Sequence, residues 1–225
     1  MSTFRAVAVL VGKDLRAEWN SKEVLSSTVF FAIIALTVIN FGFEPGRFAA
    51  RDVGPGVLWT AFLFAALLGM NRLFQAEHER GGLEGLMLCP VDRTTLYIAK
   101  CITLFVLLSA TAAATLFLFV VFFNVRIGTG LPALLLVALL GCLGLAALGT
   151  TFAAMASKTR AREVLLPLLL VPIAIPLLIA AVKCTGAVLG GDGLASVRSW
   201  LQLLSAFDVI FLATGYLTFP AILEE

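Results

Sequence analysis

His78 stands between Glu77 and Glu79, and an imidazole flanked by carboxylates is the raw material of a metal ligand or a general base. It is the sole histidine in a chain of 225 residues, so every metal-binding, proton-transferring or triad role would fall on this one ring. The four cysteines, Cys89, Cys101, Cys142 and Cys184, form no close pair and do not cluster with it, which argues against a zinc site and a disulfide framework. A nucleotide-binding phosphate loop is missing too, since Gly12 and Lys13 precede Asp14 and lack the upstream glycine. The sequence therefore predicts no catalytic residue, no metal site and no ATP held in that way. His78 reads as a solvated surface residue.

One acid demands more explanation. Asp208 lies in an apolar run about eight residues past Trp200, which at 1.5 Å per residue is roughly 12 Å along a helix. A carboxylate at that depth in hydrocarbon costs several kcal/mol unless it faces the bundle interior, water or a cation. Lys183 is the nearest candidate partner by depth. The two residues could gate or line a translocation path, or pair structurally and hold two helices in register.

The elements that must position these groups are transmembrane helices. Apolar residues make up 60% of the chain and charged ones 13%, a balance no water-soluble globule needs. The net charge of +2 is too small, and its basic residues too scattered, for a nucleic-acid partner. Apolar spans of a length able to cross about 30 Å of hydrocarbon are expected at about 24–43, 57–70 with an extension through Phe74, 101–123, 131–156, 164–182 and 200–219. The second is expected to follow a turn at Gly54, Pro55 and Gly56. The first run is too long for a cleavable signal and is expected to remain as an anchor. The fold class is thus all-α, a single transmembrane domain over 1–225 with membrane lipid around it.

Residues 1–23 form an amphipathic interfacial helix, with Phe4, Ala8, Val11, Leu15 and Trp19 on one stripe and Lys13, Asp14, Arg16 and Asn20 off it. The fourth span repeats small residues at Ala138, Cys142, Ala146, Thr150 and Ala154, a stripe that lets helices approach closely. The fifth carries Pro167, Pro172 and Pro176, each removing a backbone donor and favouring a kink, for packing or for gating. The glycine-rich stretch 183–199 is external, either re-entering the membrane or forming a short helix.

Between the second and third spans, residues 72–100 are solvated. After Gly81 and Gly82, Leu83, Leu86 and Met87 fall at i, i+3 and i+4 on one helical face, Glu84 points elsewhere and Pro90 ends the turn. This is a short amphipathic helix with a hinge before it, serving either as a docking element for another protein or as an interfacial helix resting on headgroups. Basic residues place it inside. Arg5, Lys13, Arg16, Lys22, Arg72, Arg80, Arg93, Lys100, Lys158, Arg160 and Arg162 fall on one side, against Arg47, Arg51, Arg126, Lys183 and Arg198 on the other. Both termini and the 72–100 loop are therefore expected in the cytoplasm.

These residues resemble a family. Glu77, Glu79, Gly81, Leu83, Glu84, Leu86 and Pro90, followed by Asp92 and Arg93, look like the cytoplasmic-loop signature of ABC-2 type exporter membrane subunits. In that group the segment is a coupling helix seated in the ATPase; Gly82 departs from the usual Thr or Ala. More narrowly, Lys13 to Trp19, Trp59 to Arg72, Leu83 to Arg93, Ala161 to Pro167, and Ala206, Phe207 and Asp208 are similar to the heme exporter protein B family, with the likeness reaching the closing Leu223, Glu224 and Glu225. The resemblance implies a bacterial inner-membrane half-transporter of the cytochrome c maturation system. Its partners would be a separate ABC ATPase that binds ATP, a second copy of itself or another membrane subunit, a heme-handling membrane protein and a periplasmic heme chaperone. Heme would be cargo of the complex rather than a ligand of this chain, because no intramembrane histidine or tryptophan-rich heme segment is present. Rival expectations are an ABC-2 exporter of a drug, lipid or polysaccharide, or a proton-driven secondary transporter working through Asp208, for which no inverted repeat is visible.

Overall fold

The computed structural model describes residues 3–42, 50–79, 92–125, 128–157 and 162–224. They form α1 (Thr3–Ser21), α2 (Glu23–Gly42), α3 (Ala50–Glu79), α4 (Arg93–Phe123), α5 (Leu131–Ser157), α6 (Arg162–Gly190) and α7 (Arg198–Glu224), with 3-10 turns at Gly128–Gly130 and Leu194–Val197. No strand occurs among the described residues. Six of the helices, α2 to α7, are long and apolar enough to cross a membrane. The chain is an all-α, multi-pass membrane protein, because in lipid only helices and closed barrels satisfy every backbone group within the spanning segment.

Several boundaries differ from the expected ones. Gly54, Pro55 and Gly56 lie inside α3 rather than in a turn before it. Pro55, the sixth residue of α3, gives up the one bond its N–H would have made to the carbonyl four residues back, and a membrane helix packed among neighbours carries that loss without ending. A side chain at Gly54 would press on the Phe119 ring, its Cβ falling 2.8 Å from Cζ, so this glycine lets α3 and α4 meet. Helix α3 also runs on to Glu79, and α4 starts at Arg93, so the solvated connection is shorter than 72–100. Lys183 belongs to α6, which continues to Gly190 before the turn at Leu194–Val197 leads into α7. The connection between α6 and α7 is therefore confined to the end of the 183–199 stretch. Helix α6 passes through Pro167, Pro172 and Pro176 without interruption.

Helix α5 is the centre of the packing, set against α6, α7 and α4. Its small-residue stripe is spent inside the subunit: Cys142, Ala146, Thr150 and Ala154 are all buried. Glycines beside the stripe admit bulky neighbours. The Trp59 ring of α3 occupies the space a Cβ on Gly141 would need, and Met70 of α3, with Sδ at 2.7 Å, and Leu104 of α4, with Cδ2 at 3.1 Å, do the same at Gly149. Hydroxyls on α5 are satisfied first by their own helix. Thr150 and Thr151 donate to the carbonyls of Ala146 and Ala147 one turn back, at 2.8 and 2.9 Å.

Between helices, two polar ties stand out. Trp59 Nε1 donates to Thr185 Oγ1 at 2.9 Å, linking α3 to α6, and the hydroxyls of Thr28 and Thr111 hydrogen-bond at 3.3 Å, linking α2 to α4. A cavity of about 30 Å³ lies beside the first tie, lined by Trp59, Phe62, Thr115, Leu134 and Thr185 among others. That is room for a water molecule or two.

Because the Trp59 ring fills the notch at Gly141, Gly141→Leu is expected to overpack the α3–α5 contact. The cost should be about 1–3 kcal/mol, read as a lower thermal midpoint of the detergent-solubilised protein and lower membrane abundance. Gly12→Leu, at an exposed position with open space around it, should change neither.

Candidate functional site

Asp208 is 3% exposed. It sits on α7 against the glycine notch of α5: a Cβ on Gly144 would come within 2.6 Å of Oδ1 and would also strike Leu177 of α6. Both carboxylate oxygens lack a hydrogen-bond partner among the described residues. The expected pairing with Lys183 is not formed. Lys183 is exposed on α6, whereas Ala180, Ala181 and Cys184 carry the buried face. Leu177, the α6 residue level with Asp208, lies six positions earlier, so Lys183 stands about 9 Å further along the helix. Depth and direction both separate the charges.

A second concentration of polar groups lies at the amino-terminal base of α4, the helix that begins directly after residues 80–91. The helix opens after Asp92, whose carboxylate accepts from Thr94 Oγ1 at 2.6 Å and whose carbonyl accepts from Leu96 N at 3.2 Å. Arg93 donates from Nη1 to the Pro220 carbonyl at 3.4 Å. One turn on, the Tyr97 ring packs on Phe219 with centroids 5.3 Å apart, and its hydroxyl lies over Gly215, where a Cβ would collide with it. These contacts bind α4 to the carboxy-terminal end of α7. A further turn on, Lys100 donates from Nζ to Asp14 Oδ2 of α1 at 2.7 Å. Lys100 is only 5% exposed, so this is a buried ion pair.

Helix α1 is held by that pair and by the packing of Ala6 and Leu10. The predicted stripe is divided: Phe4 and Trp19 are exposed to 85% and 78% and Ala8 is exposed too, whereas Val11 packs against the core and Leu15 is half-buried. An apolar face left free of protein contacts is what an interfacial helix offers to lipid. Asp14 and Lys100 were not singled out by sequence reasoning. A usable signal existed, since Lys100 is the one charge inside an apolar stretch that otherwise runs from Thr94 to Phe123.

Among the predicted coupling residues, Gly81, Gly82, Leu83, Glu84, Leu86, Met87 and Pro90 lie outside the described residues, as do the side chains of Glu77, His78 and Glu79. Arg93 is placed, and its contact with Pro220 is internal to the chain. Among the described residues no group of three or more His, Cys, Asp or Glu side chains could hold a metal ion. Among the described residues the arrangement supplies packing contacts and charge placement.

Comparison with known proteins agrees with that character. The family described as CcmB protein matches residues 5–225. The chain is 32% identical over 201 residues to heme exporter protein B of Pseudomonas aeruginosa, covering 88% of this chain and 89% of that protein. It is 30% identical over 190 residues to heme exporter protein B of Rhodobacter capsulatus, with 83% and 84% covered. Against the protein of the same name from Bradyrhizobium diazoefficiens, identity is 29% over 219 residues, with 93% of each covered.

Asp208→Asn keeps the volume that fills the Gly144 notch while removing the charge. Normal membrane abundance with lost transport output is the expected result and would mark Asp208 as a working residue. Poor accumulation, measured by immunoblot of membranes, would mark it as a packing residue instead.

Proposed function

The chain belongs to the CcmB protein family, and from that premise we propose that it is the membrane-spanning subunit of an ABC transporter complex acting in heme export, or in release of a heme-loaded chaperone, during c-type cytochrome biogenesis. The observation that carries this reading is the near-full-length likeness to relatives named heme exporter protein B. ATP is hydrolysed on a separate partner chain. Residues 72–100 and both termini face the cytoplasm of a bacterium, and the complex lies in the inner membrane.

Coupling runs through the segment between α3 and α4. Leu83, Leu86 and Met87 seat in the ATPase, with Glu77, Glu79, Glu84 and Arg93 as charged contacts around the seat. Gly81 and Gly82 hinge the piece, and Pro90 closes it. The way α4 is anchored supports this route. Force applied to residues 80–91 is delivered covalently to Arg93, and the first turns of α4 are fastened to α7 at Pro220 and Phe219 and to α1 at Asp14. A second copy or another membrane subunit completes the transporter, and a heme-handling membrane protein and a periplasmic heme chaperone take the cargo onward. Asp208 gates the bundle at the junction of α5, α6 and α7, while Lys183 contributes at the outer end of α6.

Glu84→Lys tests the seat. The variant is expected to reach the membrane at normal abundance yet retain at least about tenfold less ATPase on co-purification, as reversal of a docking charge does. Unchanged association and ATPase stimulation would count against docking there. Deleting the chain should abolish c-type cytochromes, seen by heme staining; their persistence would favour an exporter of a drug, lipid or polysaccharide.

A further inference from the structure

Two acids of α1 lie one turn apart and each holds a different span. Asp14 accepts from Lys100 Nζ of α4 at 2.7 Å, while its other oxygen is 3.3 Å from Lys13 Nζ. Glu18 accepts at Oε1 from the backbone N–H of Leu25 at 2.8 Å, in the first turn of α2. That N–H is one of the groups a helix leaves without an intrahelical acceptor, and a carboxylate there also meets the positive end of the α2 dipole. Between the two helices the chain turns at Lys22, which takes a left-handed φ of 55°. The corner is pinned by Lys22 N donating to Glu18 O at 2.6 Å.

The two attachments differ from ordinary surface contacts. Side chains four residues apart share one side of a helix, and here that side also carries buried Ala6 and Leu10. An ion pair with a nearly inaccessible ammonium does not slide, because separating it strands a charge away from water. Among the described residues no such tie is formed from the other sides of α1, which carry exposed Arg16 on one and Phe4 and Trp19 on another.

Resting on the reading of residues 80–91 as the ATPase seat, we infer that α1 is a second arm of the transmission. Asp14 and Glu18 are positioning residues through which displacement of the α4 base reaches the start of α2, so that α1, the first turns of α4 and the start of α2 move as one body. The path does not pass through the α5 core. It runs along the edge of the bundle, from Lys100 to Asp14, one turn along α1 to Glu18, and into α2 at Leu25.

The test uses the full membrane complex with its ATPase. Genetically encoded spin labels at exposed Arg16 and Ile102 report the distance between α1 and α4 in nucleotide-free and ATP-trapped states. The expected result is an unchanged distance in the otherwise native chain. A distance that shifts with nucleotide overturns the inference, whatever any variant does. Asp14→Asn is expected to keep ATPase association and ATP hydrolysis while c-type cytochrome formed per ATP falls about tenfold, since the charged tie between Asp14 and Lys100 is removed. The exchange Asp14→Lys with Lys100→Asp should recover most of that loss, which a change in folding alone would not do. An Asn variant with full yield per ATP, or one that fails only by shedding the ATPase, overturns the inference and leaves the functional reading intact. If the unmodified chain retains no ATPase, the functional reading falls and this inference falls with it.

Discussion

Helices in lipid gain nothing from hiding apolar surface from one another, so they hold together only where they come close enough for dense packing and a few polar ties. In this subunit the close approach is concentrated on α5. Gly141 receives the Trp59 ring, Gly144 receives Leu177 and the Asp208 carboxylate, and Gly149 receives Met70 and Leu104. Neighbours on α3, α4, α6 and α7 therefore all penetrate to the same helix. Enlarging one notch would push out an element that the other notches still hold, and a bundle arranged this way moves as packed units rather than by gradual deformation.

Charge follows a different logic from packing. The Asp14–Lys100 pair is compensated, so its strength as an attachment comes from what breaking it would cost, about 3–5 kcal/mol when one partner of a buried pair is removed. Asp208 has no such compensation: its oxygens are buried against Gly144 and Leu177 without a hydrogen-bond partner among the described residues. A carboxyl group kept in that position adds nothing to stability that an apolar residue of the same volume would not add more cheaply.

What the sequence made legible was whatever depends on local period and length. Six apolar runs of membrane-spanning length became six helices, and the small-residue stripe became the buried face of α5 from Cys142 to Ala154, with Ala138 only half-buried. Local punctuation misled where the helix context overrode it. Gly54, Pro55 and Gly56 signal a turn, yet inside α3 the proline costs a single backbone bond without ending the helix, and the glycine admits Phe119. Pairing of charges was less legible still. Depth along two helices suggested Lys183 for Asp208, but depth says nothing of which way a side chain faces, and Lys183 faces outward. Lys100 counts in the sequence only as an inner-side basic residue, because its burial depends on α1 lying beside it.

The placement of these features bears on how a push at one end could become movement at another. Residues 80–91 join α3 to α4, and both helices enter notches on α5, through Met70 and Leu104 at the same glycine. A displacement that spread α3 from α4 would have to empty the notch at Gly149, whereas one that carried both together would leave it filled. The second is cheaper, because it breaks no packing. It would drag with it whatever is fastened to the base of α4: the end of α7 through Tyr97 and Phe219, and α1 through Asp14. Asp208 lies on α7 eleven positions before Phe219, about 16 Å along the same rigid helix. A tilt of the α4 base therefore acts on α7 as on a lever, and the contact it strains is the carboxylate lodged at Gly144, where no polar partner among the described residues fixes it in place.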